Sequence, residues 1–340
     1  MQNIAFLILK RIIHVTFVLL LLSLVVFSFI RVIPGDPVRI SMGPMVPDET
    51  IMQKRSELHF DKPLFVQYYY WLKNIITKGD FGESLFTHRN VGEDILIFLP
   101  RSIELSFYSA LLILIGGVLA GTLSAIFQNS WIDNVIRFVS YLGVVTPPYA
   151  FGVIFMLVFG YLLKWFPIGG IPKIPESYVK TGMYGLDALI AGDINLYFNI
   201  LRSMVLPAMS LSIGSIAYQA RIHRSSMIEN IHADYIDFAK VAGVKKTPLI
   251  FKHLMKPSFI PTLTIYGLQV AALLGNAFLI EVIFQYPGFS QYSLNVIMNK
   301  DPYAIVAVTF VFGIIFAISN ILIDLGVAAL DPRIRMKTSE

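Results

Sequence analysis

Apolar runs long enough to cross a membrane alternate along this chain with short polar stretches rich in glycine, proline and lysine. The first run, Ile12 to Ile30, follows Lys10 and Arg11, and at 1.5 Å per residue it covers roughly the 30 Å hydrocarbon core of a bilayer. It is too long for the apolar part of a cleaved leader, and no small-residue cleavage pattern follows, so a retained span is expected at about 10–31. The same pattern predicts further spans at about 103–127, 135–163, 201–222, 260–284 and 303–327. The expected fold is an all-α polytopic membrane protein with about six transmembrane helices in one domain, 1–340. Between the spans lie an external segment (32–100), an external loop (164–200) and a cytoplasmic loop (223–259), with a cytoplasmic tail at 328–340.

Several interruptions bear on function. Thr146-Pro147-Pro148 sits inside the third expected span, where two prolines remove backbone donors and should kink or unwind the helix. In a bilayer such a break is tolerated where it is buried in protein or lines a wet cavity. Pro147 and Pro148 are therefore candidates for a translocation path, although a static packing kink accounts for them equally well. Gln269, Asn276 and Glu281 are polar groups on the fifth span and join the candidates on the same ground. Gly116, Gly117 and Gly121 permit close helix approach in the second span. In the external segment, LHFDKPLFVQYYYWLKNII has the aromatic density of an interfacial helix, with Trp71 and its tyrosines suited to the headgroup level.

Composition agrees. Of 340 residues, 56% are hydrophobic and 14% charged, against about a quarter charged in soluble domains. The net charge of +5 does not point to nucleic acid, because the cations flank apolar spans. Arg221, Arg224, Lys240, Lys245, Lys246, Lys252 and Lys256 fall in or beside the loop 223–259, which places that loop and both termini in the cytoplasm. Without cysteine there is no disulfide framework or thiolate nucleophile. No phosphate loop, zinc helix or serine elbow occurs in the sequence, so no catalytic residue and no metal site is assigned.

The cytoplasmic loop has structure of its own. Asp234 is placed to cap a short helix, Asp237 adds negative charge to its first turn, and Gly243 is the natural stop. Thr247 before Pro248 reads as a fresh cap with proline at the first helical position. Such a lysine-rich loop can be merely solvated. Against that stands the apolar set Tyr235, Phe238, Ala239, Val241 and Ala242, which covers too much of a short helix to face only water.

The run Asp237-Phe238-Ala239-Lys240-Val241-Ala242-Gly243 resembles the "EAA" loop of membrane subunits of ABC importers. The frame DYIDFAKVAG with KHLMKPSFIPTLTIYGLQ, the external DKPLFVQYYYWLKN and GDFGESL, and the tail DPRIR are similar to the dipeptide, oligopeptide and nickel permease branch. Phe238 departs from the alanine of the motif, and Lys256 stands where the general motif has proline. Pro261 stands where the peptide branch has one. The resemblance implies a type I ABC importer transmembrane fold forming half of a pore. It makes Asp234, Tyr235, Asp237, Phe238, Ala239, Ala242, Gly243, Lys245 and Thr247 the residues that couple to an ATPase. It further implies a second homologous permease subunit, two ATP-binding cassette subunits carrying ATP and Mg²⁺, and an extracytoplasmic substrate-binding protein, with no cofactor on this chain itself. The implied location is the inner, cytoplasmic membrane. Di- and oligopeptides are the expected cargo, with nickel, metal chelates or glutathione-like peptides as the alternative. A stand-alone channel or an intramembrane enzyme is the reading from a different class.

Overall fold

In the computed structural model, residues 4–32, 37–42, 45–57 and 59–330 are described. Helix α1 (Ile4–Val32) opens the chain, followed by α2 (Pro37–Met42), α3 (Asp48–Glu57) and α4 (Leu64–Lys78). Next come α5 (Val91–Ile126), α6 (Trp131–Val145) and α7 (Pro148–Phe155), the last continued by a π-helical stretch over Met156–Leu162. The short α8 (Tyr184–Ile190) precedes α9 (Ile194–Ile231). Then follow α10 (Asp234–Val241), the single turn α11 (Lys246–Pro248), a π-helical stretch Leu249–Leu254 and α12 (Met255–Asn276). The chain continues through α13 (Phe278–Ile283), α14 (Phe289–Met298) and α15 (Pro302–Leu330).

Among the described residues, four helices are long and apolar enough to cross a bilayer: Val91–Ile126, Ile194–Ile231, Lys246–Asn276 and Pro302–Ile321. A fifth arises if the pair Trp131–Val145 and Pro148–Leu162, bent by 109°, counts as one span. The expected sixth, 10–31, lies on α1, whose apolar stretch among the described residues is the shorter Val15–Phe29. The kink expected at Thr146-Pro147-Pro148 is this sharp bend. Helices α5 and α9 overrun the expected membrane edges, because helical hydrogen bonding continues through the polar residues at their ends. The fifth expected span is divided into α12 and α13 at Ala277. The DPRIR motif of the tail lies outside the described residues.

The contacts group the chain into two compact units. One holds Asn3–Ser102 with Pro287–Ala317. Its core is Phe27, Trp71, Phe289, Tyr292 and the inner face of α15 from Ala304 to Val311. Trp71, expected at the headgroup level, is instead buried against Phe27, at a ring distance of 5.7 Å. Neighbouring Tyr69 and Tyr70 are the exposed aromatics, since the helical turn sends adjacent side chains to different faces. Asp301 is buried here, accepting from Ser84 Oγ (2.6 Å) and from the backbone N–H groups of Phe86 (3.2 Å) and Ala304 (3.1 Å).

The other unit, Ile103–Tyr286 with the end of α15, is built around α9, against which α6, α7, α8 and α12 pack. Asp193 starts α9 by accepting from Leu196 N–H at 2.9 Å. Close approach of α5 to α9 depends on glycine: a Cβ at Gly121 would stand 2.7 Å from Ala220 O, and one at Gly117 would stand 2.4 Å from Gln219 Cγ. Glu104 of α5 accepts from Gly185 and Leu186 N–H at 3.2 and 3.1 Å, satisfying the open N-terminus of α8.

Candidate coupling site

Helix α10 starts one residue earlier than Asp234 would require as a cap. Ala233 is the capping residue and Asp234 the first helical one, so no side-chain oxygen closes this end. Asp234 and Asp237 still bring negative charge to the first turn, where the helix dipole favours it. Asp237 pairs with Lys240 at 2.8 Å, and that ammonium group holds its carboxyl below the ordinary range. The other end follows expectation. Gly243 has φ 78°, its N–H donates to Lys240 O (3.0 Å), and Val244 N–H donates back to Ala239 O (3.1 Å). These two bonds satisfy the last carbonyls and reverse the chain.

The second helix also starts earlier than the sequence suggested. Lys245 is its cap and makes no side-chain bond, while Thr247 lies inside the turn and does not cap it. Pro248 still suits a first turn, where its missing N–H is no loss. Lys245 and Thr247 are both exposed.

The apolar residues of α10 divide between two faces. Ile236 is buried in a cluster with Ala125 at the end of α5, Met227 near the end of α9 and Leu254 before α12, and Ala239 of the same helix is also buried. At about 25 cal/mol per Å², burying an isoleucine side chain stabilises this seat by roughly 2 kcal/mol. Ala239, expected to need cover from outside, is thus covered by the chain itself. Ile236, which the motif did not single out, is its main anchor. The opposite face is open: Tyr235, Phe238 (76% exposed) and Val241 (89% exposed) point outward, with exposed Ala242 beside them. Tyr235 is steadied by donating to Asn230 Oδ1 at 2.9 Å, and Asn230 in turn donates to Ser226 O (2.8 Å) and Ser258 Oγ (3.2 Å).

Polar bonds tie the helices beneath this knob together. Arg224 of α9 donates through Nε and Nη2 to the two oxygens of buried Asp133, at 2.8 Å each, and Ser124 of α5 donates to the same carboxylate. His223, fully buried, bridges Thr122 of α5 (3.0 Å) and Thr262 of α12 (2.9 Å), while Gln219 Nε2 donates to Thr262 O at 2.9 Å. A push on α10 therefore reaches the ends of α5, α6, α9 and α12 together. This network left no mark in the sequence, because Asp133 looks like any first-turn acid and Arg224 like any flanking cation.

The candidates for a translocation path are less concentrated. Pro147 is exposed at the bend and Pro148 begins α7, which packs against α13, the helix carrying buried Glu281. Asn276 is exposed at the end of α12, and Gln269 is half-buried about two turns earlier. None of these five residues lines the cavity between α6 and α9, the one beside α12 at Phe251–Leu263 or the one beside Trp71.

Comparison with known proteins bears on the whole chain. Residues 117–336 match the binding-protein-dependent transport system inner membrane component family, and residues 4–103 match the N-terminal region of such membrane components. The dipeptide transport system permease protein DppB of Alkalihalophilus pseudofirmus is 33% identical over 96% of this chain and 98% of its own length. A probable D,D-dipeptide transport system permease protein, DdpB of Escherichia coli, is 34% identical over 93% of this chain and 94% of its own. The glutathione transport system permease protein GsiC of Salmonella choleraesuis is 29% identical over 97% and 99%. A helical bundle with several membrane-length apolar helices, a glycine-stopped helix seated against the ends of α5 and α9 and the start of α12, and matches along nearly the full length lead to one conclusion: the chain belongs to the family of binding-protein-dependent transport system inner membrane components, the multi-pass permease subunits of ABC transporters.

Proposed function

We propose that the chain forms half of the channel of an ATP-driven importer of short peptides, set in the cytoplasmic membrane with both termini inside. A second homologous permease subunit completes the pore. Two ATPase subunits bind and hydrolyse ATP with Mg²⁺, and an extracytoplasmic binding protein delivers the cargo. Dipeptide permeases among the relatives, matched over nearly their whole length, support peptides as the cargo. The glutathione permease keeps γ-linked peptides within the same chemical range.

The observation that carries the reading is the two-faced α10. One face is fixed to the chain by Ile236 and Ala239, and the other presents Tyr235, Phe238 and Val241 to an absent surface. Complete cover of Phe238 and Val241 would stabilise a docked partner by about 1.5–3 kcal/mol each. When ATP draws the two cassette subunits together, α10 moves with its socket. The Asp133, Arg224 and His223 network passes that displacement to the helix ends, reorienting the spans between outward and inward access. Asp234, Asp237, Lys245 and Thr247 form the polar rim of this docking face, and Gly243 sets the angle between its two helices. No residue of this chain takes part in bond making.

Site-directed cross-linking tests the reading cleanly, because the sequence contains no cysteine. A thiol-directed cross-linker on Phe238→Cys in the purified complex should capture the ATPase subunit, whereas the buried Ile236→Cys should not react. Capture of no other subunit from position 238, in a complex that still transports, would end the proposal.

A further inference from the structure

A cavity of about 180 Å³ lies between α6 and α9, beside the Asp133–Arg224 pair. Arg137, Ser140 and Tyr141 line it from α6, and Arg221 and Arg224 from α9. Of the three guanidinium groups, one is neutralised: Arg224 grips Asp133. Arg137 approaches that same carboxylate only to 3.7 Å. Arg221 lies over the Tyr218 ring at 5.0 Å, and no carboxylate pairs with it among the described residues. An excess of positive charge therefore faces the cavity. The hydroxyls of Ser140 and Tyr141 make no hydrogen bond among the described residues, which leaves donors available beside the cations.

The surroundings are apolar. Phe138, Tyr141 and Val145 recur at helical spacing along α6 and, with Val144 of the cavity wall, form an exposed apolar stripe at the edge of the cavity. Trp131, at the start of α6, is suited to the headgroup level of a bilayer, and Arg137 lies less than two turns farther along. A compact cationic notch opening onto a hydrocarbon-facing strip matches a ligand with an anionic head and apolar tails.

We propose that this notch binds the phosphate of an anionic phospholipid, with its acyl chains along the α6 stripe. The phosphate would accept from Arg137, Arg221 and the two hydroxyls, while Arg224 remains with Asp133. The bound lipid would then join α6 to α9 at the level of the Asp133 pair. The inference requires only that these helices sit in a bilayer, so the nature of the cargo and of the ATPase does not enter it.

The test uses the intact transporter in nanodiscs of phosphatidylcholine, alone or mixed with phosphatidylglycerol, followed by native mass spectrometry of the released complex. The wild type should retain phosphatidylglycerol above its share of the disc lipids. The double variant Arg137→Gln/Arg221→Gln should lose that preference by roughly tenfold, while Arg221→Lys keeps most of it. If the double variant does not assemble, Ser140→Leu, which fills the notch and keeps every arginine, should show the same loss. Equal retention by wild type and the assembled variants would overturn the proposal. So would inorganic phosphate displacing the retained lipid and protecting the complex in phosphatidylcholine discs, which would make the ligand a free anion. Cross-linking of the α6 stripe to a neighbouring subunit with no lipid retained would also overturn it.

Discussion

Arg224 closes both of its bonds on Asp133 at 2.8 Å, joining residues 91 positions apart, and the carboxylate it holds is fully buried. Removing one partner strands the other charge, so Asp133→Ala or Arg224→Ala should each cost about 2–4 kcal/mol, the arginine being partly exposed. The double variant should cost less than the sum of the two. Arg224→Lys should rescue poorly, since an ammonium group cannot fork across both oxygens. Thermal unfolding of the purified complex, taken round the double-mutant cycle, measures this coupling; strict additivity would remove Asp133 from the proposed force path.

The two faces of α10 predict opposite phenotypes from similar changes. Phe238→Asp should leave the complex folded in the membrane yet reduce ATP-driven uptake on the order of tenfold or more, matching about 1.5–3 kcal/mol of lost docking. Ile236→Asp buries an unpaired charge and should lower the amount of folded subunit itself. Quantifying uptake beside subunit abundance separates the two. Equal abundance and equal uptake for both variants would contradict the assignment of faces.

Gly243 has open space around the position of a Cβ, so its constraint is the backbone angle alone. Asparagine, which tolerates left-handed conformation, should largely preserve uptake. Valine should cost about 1–2 kcal/mol and alter the angle between α10 and α11. Limited proteolysis of the loop should be faster for Gly243→Val than for Gly243→Asn. At Gly121 the order reverses: the limit there is space, so Gly121→Asn should disrupt α5 packing as severely as Gly121→Val.

Burial raises the Asp301 carboxyl above its usual range, against the hydrogen bonds from Ser84 and the backbone of Ala304 and Phe86. The folded protein thus holds this proton more readily than the unfolded chain. Its contribution to stability is fully present below the ordinary carboxylate value and is lost as pH rises through the raised folded value. Unfolding temperatures of wild type and Asp301→Asn should accordingly diverge in favour of the wild type on acidification. A difference independent of pH would contradict the sign.

Local constraints were legible in the sequence and distant pairings were not. Pro147-Pro148 and Gly243 announce a bend and a stop because each fixes or frees φ within its own residue, whatever surrounds it. The glycines of α5 likewise signal close approach without naming a partner. Asp234 and Thr247 misled for a complementary reason: cap chemistry tolerates a shift of one residue, and here Ala233 and Lys245 take the cap positions without side-chain bonds. Which of Ile236, Phe238, Ala239 and Val241 face inward depends on where Met227 and Leu254 end up. The Asp133–Arg224 pair depends on α6 meeting α9. Neither can be read from one segment.

The corner between α6 and α7 has a further consequence. Turning a chain by 109° amid hydrocarbon would ordinarily strand amide hydrogens, but Thr146 N–H still reaches Leu142 O at 3.0 Å, the next two residues are imino acids with no hydrogen to offer, and Ala150 N–H returns to Pro147 O at 3.0 Å. Replacing either imino acid with an ordinary residue would add a donor at a place with little water to receive it. The pair thus removes two donors from the elbow and leaves Tyr149 N–H as its one amide without a backbone acceptor among the described residues.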